Sequence, residues 1–451
     1  MHHVDFTPNY TYYCTMKHKL LRWAFPSIIQ LVVCSTFTTA QIVETTDVER
    51  IIATLADDDM RGRAALTPDI ARAADFIAEE FSQAGLQPYA EDNYRQTFEV
   101  TKVFTENESI EINGKALKID EFIILNNTSN LSWNTDSEIE IMEIRAGEDF
   151  STRFRDIVRN NPNHNIIWVD PSFAPMLARF KKILSRENII PKQASVTDSP
   201  SKVFAIKKKK IVSFQVEART VHEDFPLFNV AAVIPGKSKA DEFVVFSAHY
   251  DHIGILDPLG KDSIANGADD DASGTTAMIA LAKHFKKEDI NERTLIFVAF
   301  TAEEIGMFGS KYFSNHIDAD KVMAMINIEM IGKDSKFGPN TLYVTGYHHS
   351  NLAELMQENV KGTTFTFHPD PYSKQNLFYR SDNAVLAALG VPAHTFSTSQ
   401  IDKDEYYHTV KDELSTLDIR NIKSSIEAIA KGVIGIVTGT QTPSRVEKLA
   451  D

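Results

Sequence analysis

The chain has 451 residues, 43% of them hydrophobic and 24% charged, with a formal net charge of −15. That length and composition can bury a large core, point to two domains, and exclude a disordered chain or a membrane bundle. The acidity argues against nucleic acid as a partner, because phosphate binding wants a basic face.

Residues 1–40 read as a leader. Lys17, Lys19 and Arg22 precede an apolar stretch through Ile28, Ile29, Leu31, Val32, Val33 and Phe37, and Thr38-Thr39-Ala40 offers a small-residue cleavage site. The apolar piece is too short to span a bilayer. Met1 and Met16 both serve as possible starts. Cys34 suggests a lipoprotein, but the bulky Val33 before it argues against one. Both cysteines, Cys14 and Cys34, fall inside this leader, so a mature chain has neither disulfides nor thiolate ligands. Its loss removes three basic residues and one acid, taking the charge from −15 to −17. The expectation is an exported protein, periplasmic or secreted.

From 41 to 100 the pattern is helical: Ile70, Ala73, Ala74, Ile77 and Phe81 share one face, and Gly85 is a plausible stop. Between 101 and 225 short runs such as "SIEI", "EFIIL", "IEIMEI" and "NIIWVD" alternate with Asn/Asp/Ser turns, broken by one helical piece, "PMLARFKKIL". This reads as an inserted β-rich domain. The lysines at 207–210 lie between apolar pieces and read as a solvated strand edge or turn.

From 226 to 451 fully apolar strands ("NVAAVI", "FVVFSAH", "LIFVAF", "VMAMINI", "TLYVTG") alternate with helices, one carrying the stripe Met278, Leu281, Ala282 and Phe285. That pattern predicts an α/β fold with a mostly parallel central sheet flanked by helices.

Ligands of open α/β sheets bind beyond the carboxyl ends of the strands, and polar residues cluster there. "FVVFSAHYDH" ends in His249 and Asp251, "LIFVAFTAEE" in Glu303 and Glu304, and "VMAMINIEM" carries Glu329. "NGADDDASG" opens the next helix with three aspartates, and His408 lies in "YYHTVKDELSTLD". Alone, each has an ordinary explanation: a core histidine, a helix cap, a strand-edge charge. Together at one sheet edge they indicate a cation site, since buried carboxylates need partners or metals. Histidines and carboxylates without thiolates suit zinc or another divalent ion. Contiguous aspartates do not fit an EF-hand, which spaces its ligands at alternate positions.

These motifs, with "SAHYDHIG", "FTAEEIGMFGS", "INIEMIG" and "SDNAVLAALGVPA", resemble the secreted di-zinc aminopeptidase family, which also contains glutamate carboxypeptidases and glutaminyl cyclases. The resemblance covers 229–440, and more weakly 47–100 through "MRGRAALT". Residues 101–225 stand where many members carry a protease-associated domain.

The resemblance implies two zinc ions and peptide substrates. His249 and Glu329 would hold one zinc, Glu304 and His408 the other, with Asp269 shared. Asp251 would accept the second ring N–H of His249. Glu303 would be the general base, taking a proton from the attacking water and giving it to the leaving amine. Tyr407 would hydrogen-bond the substrate or the oxyanion. A cis peptide is implied after the shared aspartate, at Asp269–Asp270. Glu329 departs from the family's usual Asp. The leading expectation is an exported zinc aminopeptidase. The alternatives are a glutaminyl cyclase, a dipeptide carboxypeptidase, which would need cations facing the substrate, and a non-enzymatic receptor-like ectodomain.

Overall fold

The computed structural model describes residues 42–89, 93–126, 128–184, 188–192 and 200–449. The expected leader, with Cys14 and Cys34, lies outside the described residues. Two amphipathic helices come first. Helix α1 (Thr45–Leu55) buries Val48, Ile51, Ile52 and Leu55. Helix α2 (Ile70–Gln83) buries the stripe Ile70, Ala73, Ala74, Ile77 and Phe81. Gly85 follows at φ +73°, the left-handed conformation that glycine adopts without strain.

Strands β1 (Arg95–Ile112) and β6 (Phe214–Ile234) pair antiparallel along nearly their whole length, from Val230 opposite Arg95 to Phe214 opposite Ile112. The boundaries expected at 100 and 226 both fall inside these strands, so the 101–225 segment hangs on a continuous ribbon. The segment also holds more helix than its β-rich texture suggested. Strands β2 (Phe122–Leu125), β3 (Glu140–Ile144), β4 (Asn165–Val169) and β5 (Lys202–Ile206) form a four-stranded sheet in the order β2-β5-β4-β3. Strands β3, β4 and β5 are parallel. Parallel neighbours need crossovers, and helices α3 (Phe150–Asn160) and α4 (Ala174–Leu184) supply them. Helix α3 was not expected. Its signals are an Asp149 cap accepting the Thr152 N–H and buried Phe150, Phe154 and Ile157 among otherwise polar residues.

The main sheet adds β7 (Lys239–His249), β8 (Arg293–Phe300), β9 (Val322–Ile328), β10 (Thr341–Val344), β11 (Thr366–Pro369) and β12 (Ala393–Ser397). Its order is β11-β10-β12-β9-β7-β8-β6-β1. The central strands β12, β9, β7 and β8 are mutually parallel. Helix α5 (Gly274–Glu288) packs on the sheet with Met278, Leu281, Ala282 and Phe285 buried, as does α6 (Ile419–Gly432) through Ile422, Ile426 and Ile429. The fold is α/β with a mostly parallel central sheet flanked by helices. Pairing Ser247 with Asn327 and His249 with Phe300 aligns the carboxyl ends of β7, β8 and β9. Among the described residues, no helix is long and apolar enough to cross a membrane.

Candidate metal centre

Strand geometry delivers the side chains. His249 is the last residue of β7, Glu303 and Glu304 follow the end of β8, and Glu329 follows β9. Three non-glycine residues beside or within the site have positive φ: Ala302 (58°), Met330 (52°) and His408 (55°). Such backbones cost on the order of 1–3 kcal/mol each and persist where surrounding contacts impose them. The Met330 N–H, for example, is fixed by Asp271 Oδ1 at 3.0 Å.

The three aspartates have three separate jobs. Asp271 accepts the N–H groups of His249 (3.3 Å), Gly274 (3.1 Å) and Met330 (3.0 Å), tying the ends of β7 and β9 to the start of α5. Asp269 turns the other way, taking the Gly332 N–H at 2.7 Å and facing Lys333 Nζ at 3.4 Å. Asp270 points into the site. Its Oδ1 lies 3.2 Å from His249 Nε2, and its Oδ2 lies 3.3 Å from His408 Nε2. The carboxylate between the two histidines is therefore Asp270 and not Asp269, and the cis peptide is Asp270–Asp271, also one residue later than expected. The buried Asp412 fixes this turn by accepting the N–H groups of Asp269 and Asp270 at 3.0–3.1 Å.

Asp251 also differs from expectation. The acceptor for the His249 ring is the Asp251 backbone carbonyl, 3.1 Å from Nδ1, while the nearer carboxylate oxygen is 3.9 Å away. The Asp251 carboxylate instead accepts the backbone N–H groups of Glu303 (3.1 Å) and Glu304 (3.3 Å), so it holds the turn that presents both glutamates. A residue only two positions past His249 bends its own carbonyl back to the ring, which frees the side chain for the neighbouring strand end.

Glu304 Oε2 lies 3.0 Å from His408 Nε2, and Glu304 Oε1 lies 2.8 Å from Nδ1 of His252, a residue not singled out in the sequence. His252, Asp270, Glu304 and His408 bring ligand atoms within 4.8 Å of one another. The Glu329 carboxylate is hydrogen-bonded by Ser381 Oγ. Tyr407 stacks on His408 with ring centroids 3.9 Å apart.

Arg63, in "MRGRAALT", is fully buried and donates to the carbonyls of Leu55, Tyr250, Asn266 and Gly267 at 2.5–3.0 Å. It clamps the end of α1 to the segment just after His249 and to the one just before Asp270.

Carboxylates dominate the electrostatics. Burial pushes Asp251, Glu329 and Asp412 up to about 7. Burial also raises Glu303 well above its ordinary value. Asp270 goes the other way: burial opposes it, but His249, His252 and His408 hold it well below the carboxylate range. Arg63 is spent on backbone carbonyls and Lys333 on Asp269 and Asp404. Among the described residues, Asp270, Glu304 and Glu329 are met by histidines and a hydroxyl, and the salt bridges of the site bring no lysine or arginine to them or to Glu303, which leaves a demand for cations. His249 Nε2 and His408 Nε2 are buried atoms that make no well-aligned hydrogen bond; each faces a different oxygen of Asp270, and His408 Nε2 also faces Glu304 Oε2. Nitrogen and oxygen donors on either side of one carboxylate fit zinc.

A cavity of about 370 Å³ opens onto Asp270, Glu303, Glu304 and Glu329, with Tyr407 in its wall and Met330, Tyr343, Leu377 and Ile401 as apolar lining.

Residues 229–433 match the family described as peptidase family M28. Leucine aminopeptidase 1 of Emericella nidulans is 31% identical over 215 residues, 42% of this chain and 50% of that protein. Aminopeptidase YwaD of Bacillus subtilis is 21% identical over 224 residues, 48% of this chain and 45% of that one. The chain spans about half the length of the curated relatives it matches. Among solved structures, an aminopeptidase from Aneurinibacillus sp. strain AM-1 superimposes with a TM-score of 0.54 at 16% identity, covering 90% of this chain and 95% of that one. The zinc aminopeptidase of Bacillus subtilis does so with 0.53 at 15% identity, covering 87% and 95%. At those identities the likeness is one of fold.

Proposed function

We propose that this protein is a zinc-dependent aminopeptidase that removes N-terminal residues from peptides. The observation that carries the reading is Asp270, a buried carboxylate whose two oxygens face ring nitrogens of two histidines, His249 at 3.2 Å and His408 at 3.3 Å, the latter also 3.0 Å from Glu304. In this reading two zinc ions are held, one by His249 and Glu329, the other by Glu304 and His408, with Asp270 shared. Bound there, zinc supplies Lewis acidity to the attacking water and the peptide carbonyl. Glu303 lines the cavity beside these residues and is raised by burial, which suits a group that accepts a proton from water and returns it to the departing amine. Asp251 sets its position through the Glu303 N–H. Tyr407 stands in the wall as a donor for the substrate or the oxyanion. The apolar lining of Met330, Leu377 and Ile401 suits an apolar N-terminal side chain. The basic-then-apolar run ahead of Thr38-Thr39-Ala40 supports export, tested by N-terminal sequencing of the protein recovered outside the cytoplasm.

One observation favours a second use of the same site. Arg380 is the only lysine or arginine lining the cavity among the described residues. An arginine in the cavity wall suits a substrate carboxylate, as in a dipeptidase or carboxypeptidase acting on short peptides. A panel of free, N-blocked and C-amidated dipeptides, with an N-terminal glutaminyl peptide and zinc content measured in parallel, tests the assignment. Hydrolysis that requires a free N-terminus and tolerates C-amidation supports the aminopeptidase. Turnover confined to substrates with a free carboxylate supports the second reading. Cyclisation of the glutaminyl peptide without hydrolysis, or no turnover at all, overturns both.

A further inference from the structure

We propose that His252 is a positioning residue that donates from Nδ1 to Glu304 and leaves a single Glu304 oxygen for metal, and that it is not itself a ligand. The inference rests on the metal-centre reading above. Proximity alone allows either role, since Nδ1 lies 2.8 Å from Glu304 Oε1 and 3.7 Å from Asp270 Oδ2.

Proton accounting separates them. Glu304 as a ligand is ionised and can only accept, so a nitrogen bonded to it carries the hydrogen. His252 Nε2, on the far side of the ring, is then a bare lone pair. That atom is buried and has no hydrogen-bond partner among the described residues. Were Nδ1 to ligate a metal instead, Nε2 would carry the proton, and a buried N–H would stand without an acceptor, the costlier of the two states.

His249 shows what a ligand needs here. Its Nδ1 has the Asp251 carbonyl at 3.1 Å, so the outward N–H is satisfied and Nε2 is free to face Asp270. His252 has no such outer acceptor. Gly267 lies against the His252 ring, where a Cβ would come within 2.6 Å of both Cγ and Cδ2. With Oε1 held by His252, Oε2 is the oxygen turned toward His408, at 3.0 Å.

The test compares zinc dissociation constants of the full chain, wild type against His252→Asn and His252→Leu, by competition with a chromophoric chelator. An Asn amide nitrogen sits as many bonds from Cα as Nδ1 does and donates, but binds zinc poorly. The expected result is that His252→Asn stays within about threefold of wild type while His252→Leu weakens one of two sites by roughly 10–100-fold, the usual effect of removing a residue that orients a ligand. Equal weakening in both variants overturns the proposal. X-ray absorption on the zinc-loaded wild type is a second readout, independent of how the variants fold. About one imidazole per zinc on average is expected, and about 1.5 would make His252 a ligand and overturn the proposal. A wild type that binds no zinc fails differently, because it removes the metal-centre reading itself.

Discussion

Two parallel-strand edges of this molecule look alike in topology and differ in chemistry. In the main sheet, β7 ends at His249, β8 is followed by Glu303–Glu304 and β9 by Glu329. In the small sheet, β3, β4 and β5 are followed by Arg145, Asp170 and Lys207. Charges at the small edge are answered locally: Lys207 and Arg145 pair with Glu143, Lys208 pairs with Glu121, and Asp170 accepts the Ser172 N–H at 2.9 Å. At the main edge, Asp270, Glu304 and Glu329 crowd together and are met, among the described residues, by histidines and a hydroxyl, with no lysine or arginine paired to them. Topology offers the place, but uncompensated buried charge makes the site.

The largest effect should come from removing the carboxylate at the centre of that imbalance. Asp270→Ala is expected to lose both zinc ions and all measurable hydrolysis, as prolonged chelation should until zinc is restored. Asp269→Asn, one residue away but facing Gly332 and Lys333, should keep zinc in place. Zinc content and kcat of the two variants decide the matter. If Asp269→Asn sheds metal while Asp270→Ala retains it, the assignment is reversed.

Next in size is the proton-transfer step. Glu303→Gln keeps shape and burial but removes the accepting carboxylate, so kcat should fall by about 10²–10⁴-fold with zinc content unchanged. Glu304→Gln should lower zinc occupancy together with kcat. A Glu303→Gln protein that loses zinc would show the adjacent glutamates to be exchanged in role.

A smaller effect is expected at Glu329. Glu329→Asp keeps the charge and shortens the arm by one methylene, so it should retain zinc and most of its turnover. Glu329→Ala should weaken one zinc site selectively, read by metal titration. An alanine variant with two intact sites removes Glu329 from the ligand set.

The sequence made the fold legible wherever periodicity was long and apolar: the α2 stripe, the α5 stripe and the central strands all sit where they were read. Strand ends then located His249, Glu303, Glu304 and Glu329 without any side-chain geometry. The choice among Asp269, Asp270 and Asp271 was not legible. Three identical residues in one tight turn differ only in direction, and Asp412, Gly332 and the end of β9, all distant in sequence, set those directions. His252 left a faint signal as the second histidine of "HYDH", but its partner Glu304 is 52 residues away. Asp251 misled for a related reason, since a carbonyl and a carboxylate on one residue compete for the same ring. Helix α3 was hidden by its polar surface, although Asp149 marked its start.

The smallest effect is expected at the other edge. Lys207→Ala breaks the pair with Glu143, whose carboxyl that lysine holds below its ordinary value. Both partners are partly exposed, so water can take over each charge, and pairs of this kind contribute only about 0.2–1 kcal/mol. Urea denaturation of Lys207→Ala should therefore show a loss of that order, shrinking as ionic strength rises and screens the wild-type pair. Hydrolysis should not change, because none of these side chains lines the cavity that holds Glu303. A marked fall in kcat with stability intact would mean that the small-sheet edge takes part in turnover, and the contrast between the two edges would fail.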